Sequence, residues 1–521
     1  MTERGWRIGV ATVVTFSIAA HLWKLGLRPL AHDEAIDAAF SWQARTGAVI
    51  RYDPVYHGPL RFYLEGPILG IFGTTAGWAR TVAAVSGIAG TALIASFRRV
   101  LGSTGSLVAA VLWTISPTVL TVTRTGREDS LVALVSVAMM LTVADALIRP
   151  SRGHVLAMGV LVAISLSLKE TTFLFGLAGA LFFIALAVAA RRHPDGPARR
   201  FWAAVARLGW RTWVVATVGF VAVFAFVFTS AFRYPEGFTS GLVDGVRYWW
   251  SQHEVRRGGQ PWFFYLTVLG AYEWLILGLA AVGVTVAVRR RSIVGAWFAS
   301  MSAVQLALYS WAGEKFPWLA IHPLIPMVLL AGWAGQACAD RMTGATHRRL
   351  LVVGGAAAAL GTILIAVPPA ITRGADPSEL LVAVHTTEAV PDIADRLVAA
   401  AGEGTVSSIF VDTRDGGAWP WGWYLEPLQD VTYEVFDPDE PLPSGYDAYI
   451  VNASDAPPEV PEGFVAERFA QRGYWQPDYN TAGAGDLADW LLTRRTWNPT
   501  GTTNQYLIVR PLTLRPGLDG S

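Results

Sequence analysis

Cysteine is almost missing from this sequence. Cys338 stands alone, which excludes an intramolecular disulfide and any cysteine-based metal site. Lysine is nearly missing as well, with Lys24, Lys169 and Lys315 the whole set. Arginine carries the remaining basic charge, and no basic tract is interleaved with aromatics in the way a nucleic-acid surface would be, so nucleic acid is set aside as a partner. Charge itself is scarce: 16% of residues are charged against 53% hydrophobic, where a soluble domain has about 25% charged. No period of about 20–50 residues recurs, which argues against a soluble solenoid. What fills the chain instead is long apolar runs, Ile8 to Leu22, Leu107 to Val122, Thr212 to Phe228 and Leu350 to Pro368 among them. They approach or reach the roughly 20 residues that cross a bilayer core, and the chain reads as an integral membrane protein. The first run follows Arg4 and Arg7 without a small-residue cleavage pattern before His32, so it reads as a retained helix.

Hydropathy predicts about eleven spans, at approximately 7–27, 76–97, 104–122, 129–148, 154–168, 172–190, 212–232, 262–288, 293–311, 317–337 and 350–370. The Arg-rich connections (Arg98-Arg99, Arg149 to Arg152, Arg191 to Arg211, Arg289 to Arg291, Arg341 to Arg349) all fall on the side of the N-terminus. The positive-inside rule makes that side cytoplasmic and predicts a multi-pass protein of the cytoplasmic membrane. Residues 28–75, 123–128, 169–171, 233–261, 312–316 and everything after about 371 then face outward. Every mixed-charge cluster falls in this outer set: His32-Asp33-Glu34, Arg124 to Asp129, Lys169-Glu170, His253-Glu254 with Arg256-Arg257, and Glu314-Lys315.

Residues 1–371 are expected to form the membrane domain and 372–521 a small extracytoplasmic α/β domain, where Asp, Glu, Pro and Gly return and apolar runs shrink to strand length. Val406 to Val411, Tyr446 to Val451 and Tyr506 to Val509 read as strands and Pro391 to Ala401 as an amphipathic helix. Between them the segment from Asp412 to Leu425, with Trp419, Trp421 and Trp423, has the residue types of a saccharide site; an ordinary turn whose aromatics pack the domain onto the membrane part is the preferred reading.

The outer clusters each admit two readings. Loop 28–75 predicts two amphipathic interfacial helices, about 33–47 and 59–72, so Asp33 is explained equally as a catalytic carboxylate and as a cap at a helix N-terminus. Lys169 and Lys315 lie at the ends of spans, where a buried ammonium needs either a function or a partner; Glu170 and Glu314 beside them are the obvious partners. Arg127 is suited to clamp a phosphate, while Glu128 and Asp129 are acceptable as first-turn helix residues. His32, Asp33, Glu34, His57 and His253 are residue types that suit a divalent cation, but no spacing marks a metal site. No cofactor is therefore assigned and a divalent cation stays open.

Asp33-Glu34-Ala35, then His57-Gly58-Pro59-Leu60, then Leu69 to Gly73 and Trp78-Ala79-Arg80 resemble, in order, the opening of the GT-C glycosyltransferases, in the protein O-mannosyltransferase and aminoarabinose-transferase branch. That family usually has Pro-Pro where this chain has Gly58-Pro59. Lys169-Glu170-Thr171, Glu314-Lys315-Phe316-Pro317-Trp318-Leu319 and the Trp419 to Leu425 segment resemble more narrowly the flippase-activity-associated family of archaeal and bacterial N-glycosylation gene clusters. The resemblance implies a polytopic α-helical GT-C fold and a sugar taken from a polyprenyl-phosphate carrier at the outer membrane face. A glycan, lipid or protein would accept it. It places Asp33 at the reaction centre with Glu34 in support, Lys169, Lys315 and Arg127 on the carrier phosphate, and His32, His57, His253 and Glu254 around the substrate. A lipid-linked oligosaccharide flippase or its accessory would use the same phosphate contacts without a base.

Overall fold

The computed structural model describes the chain apart from Arg256, Thr343, Ala383, residues 454–457 and residues 512–521; the side chains of Trp249, Gln252, His253, Glu254 and Arg348 are also outside the described set. Among the described residues, seven helices are long and apolar enough to cross a membrane: Glu3–Leu22, Asp129–Ile148, Thr172–Arg192, Trp210–Phe228, Ile293–Trp311, Pro317–Ala339 and Ala345–Thr372. Two further helix pairs reach that length and apolarity only together and are sharply bent, as a broken span or a re-entrant loop is. Ser103–Ile115 and Pro117–Thr123 meet at 63°, and Phe264–Tyr272 and Trp274–Arg290 at 104°. The first break has a local cause, since a proline removes an N–H and drives the preceding residue, here Ser116, out of the helical region. One carboxyl joins the breaks: Glu273 Oε1 accepts from Ser116 Oγ (2.7 Å) and from the Thr118 amide (2.8 Å). The shorter apolar helices Thr81–Ser96 and Arg152–Leu166 occupy the two remaining intervals, so each of the eleven expected spans has a helical counterpart.

Loop 28–75 folds into the two expected helices, His32–Ala44 and Leu60–Phe72, joined through a short turn at Pro54–Tyr56. They are held face to face by Arg61, which pairs with Asp37 on the first helix and donates to Glu65 (2.9 Å) on its own. Burial pushes the Asp37 carboxyl up to about 8 and that of Glu65 up to about 7, in spite of Arg61.

Beyond Thr372 the chain forms a six-stranded mixed sheet: β1 (Val384–Thr386), β2 (Ile409–Asp412), β3 (Val431–Glu434), β4 (Ala448–Asn452), β5 (Val465–Tyr474) and β6 (Gly501–Val509), in the spatial order β1-β5-β6-β4-β2-β3. β2 runs parallel to β3 and β4, and the other pairs are antiparallel. Helix Ala389–Gly402 buries Val390, Ile393 and Leu397 against Ile409, Val411 and Leu507. The sheet domain sits on the helical bundle at two places. The Trp490 indole donates to the Ser378 carbonyl (2.8 Å), while Glu379 accepts from Tyr272 (2.7 Å) and Arg494 (3.2 Å). Trp419, Trp423 and Tyr424 pack on Leu30, Ala35, Ala38 and Ala39, and the Leu30 amide donates to the Tyr424 hydroxyl (2.8 Å). The tryptophan-rich segment thus packs the outer domain onto the first loop.

Candidate active site

The two neighbouring acids of the first outer loop part company in the structure. Glu34, rather than Asp33, closes the start of its helix, accepting from the Ala31 amide (3.0 Å). The Glu34 side chain is 0% exposed and its oxygens also accept from Arg80 (2.7 and 2.9 Å), Arg28 (3.4 Å) and the Gly126 amide (2.6 Å). Burial works against ionisation, but Arg80 and Arg28 hold the carboxyl well below its usual range. Arg80 also donates to the carbonyls of Leu25, Arg28 and Pro29, so this cluster ties the end of the first span to the outer loop. Asp33 turns the other way. Its side chain is 44% exposed and pairs with Arg127.

Arg127 opens a second, linked network. Its guanidinium lies between Asp33 and the Trp318 ring, 4.7 Å from the ring centroid, and also donates to Glu128 (3.2 Å). Glu128 in turn accepts from Lys169 (2.6 Å), whose ammonium reaches both oxygens of Asp129 (2.9 and 2.8 Å). His322 stands 3.3 Å from Asp129. Lys169 therefore has its carboxylate partners on another segment, and the adjacent Glu170 serves elsewhere: it accepts from Tyr52 (2.6 Å) and lies 2.8 Å from His57 Nδ1. Of the two sequence readings of Lys169, the alternative in which Glu170 neutralises it is not the arrangement found. Neighbours in a turn point apart, whereas residues about forty positions distant are brought together by packing of the spans.

The His57-Gly58-Pro59 turn explains how His57 arrives. The Gly58 amide donates to the Leu168 carbonyl (3.1 Å) and the Leu60 amide to Ser167 (3.0 Å). A Cβ on Gly58 would stand 2.2 Å from the Ser167 carbonyl oxygen, so glycine alone allows this approach. His57 ends between Glu170 and Glu128 (3.5 Å). Burial and Lys169 lower its basicity, but the two carboxylates prevail and push it up to about 9, leaving it cationic at neutral pH.

His57, Arg127, Lys169, Glu170, Tyr248, Glu314 and Trp318 line one small cavity of about 50 Å³. Other predicted site residues lie apart from it. Lys315 belongs to the adjoining cavity and its ammonium donates to the Ala312 carbonyl (2.5 Å). His32 faces the outer domain, where burial and then Arg472 push it down to about 4. Glu34 is enclosed as described. The helix Gly237–Val255 carries His253 and Glu254, whose side chains lie outside the described residues. Of the five residues whose types suited a cation, the four with described side chains are not gathered: Asp33 is on Arg127, Glu34 on Arg80, His57 on Glu170 and His32 at the outer domain. Among the described residues no group of three or more His, Cys, Asp or Glu converges as a metal site. Sequence reasoning missed Tyr52, Tyr248 and Trp318 as site residues and gave Glu128 and Asp129 to the helix dipole. Their place beside Arg127 in one short motif was the available signal.

A family model described as dolichyl-phosphate-mannose-protein mannosyltransferase matches residues 56–208, the stretch that carries the His57 turn, Arg127 to Asp129 and Lys169. No curated protein sequence matches the chain. Among solved structures, ArnT from Cupriavidus metallidurans bound to undecaprenyl phosphate superposes with a TM-score of 0.56 at 19% identity, over 83% of this chain and 86% of that one. The Archaeoglobus fulgidus oligosaccharyltransferase superposes with a TM-score of 0.55 at 12% identity, over 84% of this chain and 65% of that one. The same archaeal enzyme, in complex with an inhibitory peptide and a dolichol-phosphate, gives 0.51 at 13% identity over 81% and 63%. By fold, the chain is a polytopic helical membrane protein similar to these enzymes, with a small C-terminal sheet domain.

Proposed function

We propose that this chain is a glycosyltransferase that moves a sugar from a polyprenyl-phosphate carrier to an acceptor hydroxyl at the outer face of the cytoplasmic membrane, with its N-terminus cytoplasmic and residues 372–521 outside. The observation that carries the reading is the Asp33–Arg127 pair: a half-exposed carboxylate, on a GT-C fold, held by an arginine that lines a charged cavity. The resemblance of ArnT, solved with undecaprenyl phosphate, supports a lipid-phosphate donor.

The chemistry needs few parts. A base takes the proton from the acceptor hydroxyl, the oxygen bonds to the anomeric carbon, and the bond from that carbon to the carrier phosphate breaks with inversion. The phosphate leaves with the electron pair and requires a cation. Asp33 supplies the base, because it is the carboxylate of the cluster that is open to solvent. Arg127 meets the leaving phosphate, its planar fork being matched to phosphate oxygens. Lys169 is already saturated by Glu128 and Asp129 and positions them behind Arg127, with His57 completing the positive edge. Glu34 supports the loop that presents Asp33, and Lys315 faces the adjoining cavity.

The experiment is transfer by the purified chain in proteoliposomes containing an undecaprenyl-phosphate-linked sugar. Asp33→Asn abolishes transfer with insertion and folding intact. Near-normal transfer by that variant contradicts the base assignment, and retained lipid-linked sugar translocation without transfer by the native chain would replace the transferase by a flippase.

A further inference from the structure

Past Lys315 the small charged cavity gives way to a much larger groove under the outer domain. One part, about 380 Å³, lies between Gly258 to Gln260, Lys315 to Pro317 and the chain leaving β5 at Tyr474 to Pro477. A second part, about 570 Å³, shares Gly259, Gln260, Gln476 and Pro477 with the first and continues along Asp478 to Asn480. The shared residues make the two parts one groove. Its floor is built closely: Gly258 has φ +89°, its Cβ position is 2.3 Å from the Lys315 carbonyl oxygen, and the Lys315 amide donates to the Arg257 carbonyl (3.1 Å). Phe316 in the groove stacks on Trp318 of the charged cavity, with centroids 4.5 Å apart and rings 5° from parallel, so one aromatic pair borders both.

The groove offers what a sugar needs. Pyranose rings have apolar C–H faces that lie on aromatic rings and hydroxyls that pair with side-chain amides, each of which both donates and accepts. The side chains of Gln260 and Gln476 line both parts of the groove, and among the described residues the Tyr479 hydroxyl is buried without a partner. Buried polar groups are ordinarily satisfied, so a hydroxyl left unpaired beside a groove marks a place for a ligand. Aromatic rings, neutral amides and few charges describe a carbohydrate better than an acyl chain, which wants a wholly apolar trough.

We propose that this groove binds the acceptor as an oligosaccharide, with its reactive end directed past Phe316 to the cavity lined by Arg127, the partner of Asp33. The inference rests on the transferase reading and narrows it to a glycan acceptor.

The test is binding of the fluorescently labelled full-length protein, in lipid nanodiscs, to arrays of defined short oligosaccharides and of peptides. The native chain binds oligosaccharides. The double variant Gln260→Ala/Gln476→Ala binds about tenfold more weakly, as loss of two hydrogen-bonding side chains requires. Asn480→Trp, a substitution at an exposed position, fills the groove and removes binding, with an unchanged Tm showing an intact fold. Binding to peptides only, no binding to any oligosaccharide, or equal binding by the groove variants overturns the proposal. The transferase reading stands or falls separately: an active Asp33→Asn removes the catalytic assignment while groove-dependent binding persists, and an inactive one with groove-independent binding removes the groove alone.

Discussion

Asp33 and Glu34 are adjacent carboxylates on one helix start, yet they serve networks of opposite kind. The Glu34 network is closed: a fully buried carboxylate accepts from Arg80, Arg28 and the Ala31 and Gly126 amides, and both arginines also donate to backbone carbonyls. The Asp33 network is open: Arg127 joins a half-exposed carboxylate to a cavity that also meets Lys169, Glu170 and His57. The first shapes the loop, and the second stays open to solvent, as the proposed base must. An acidic pair beside a membrane exit is therefore two environments, and the partner that each acid finds, rather than its position on the helix, decides which it has.

The largest effect expected from breaking this contrast is on the closed side. Arg80→Ala removes the closest cation from buried Glu34 and leaves only Arg28 at 3.4 Å, a loss of about 3 kcal/mol that detergent-solubilised thermal unfolding and gel-filtration yield would reveal. Next comes the turn that brings His57 to the open network. Gly58→Ala drives a Cβ into the Ser167 carbonyl and is expected to cost about 1–3 kcal/mol, together with most transfer activity, as measured by Tm and by rate per folded molecule. Arg127→Lys keeps the charge but loses the planar fork over Trp318, so the donor KM should rise on the order of tenfold while Tm barely moves.

The smallest effect is electrostatic. His57 has a folded-state pKa raised to about 9, so its contribution to stability is fully present below its unfolded value of about 6.5 and is lost as pH rises through about 9. Tm should fall over that window, and His57→Gln should flatten the fall. A native profile without any decline from pH 6.5 to 9 would remove the His57–Glu170–Glu128 coupling.

The same contrast separates what the sequence makes legible from what it hides. Spans such as Asp129–Ile148 and Trp210–Phe228 are visible because about twenty apolar residues have one plain use. β5 is hidden because much of it is exposed and carries Glu467, Arg468 and Arg472, which obscure its alternation, and β1 is only three residues long. At the site, Asp33, Arg127, Lys169 and His57 are recognisable as chemistry-bearing residues of the connections between spans. Their pairing is not. Glu34 meets Arg80 across 46 positions and Lys169 meets Glu128 across 41, distances that only the packing of spans closes. The choice of which acid stays open follows from those pairings.

The direct measurement is transfer per folded molecule for Asp33→Asn and Glu34→Gln side by side, from an undecaprenyl-phosphate-linked sugar in proteoliposomes. Asp33→Asn should lower the rate by on the order of 10²–10⁴ at native-like Tm, the range for loss of a general base, whereas Glu34→Gln should lower Tm and folded yield with the rate of the folded fraction largely kept. The reverse pattern, an active Asp33→Asn and a well-folded but inactive Glu34→Gln, would contradict the division between an open, reactive acid and a closed, structural one.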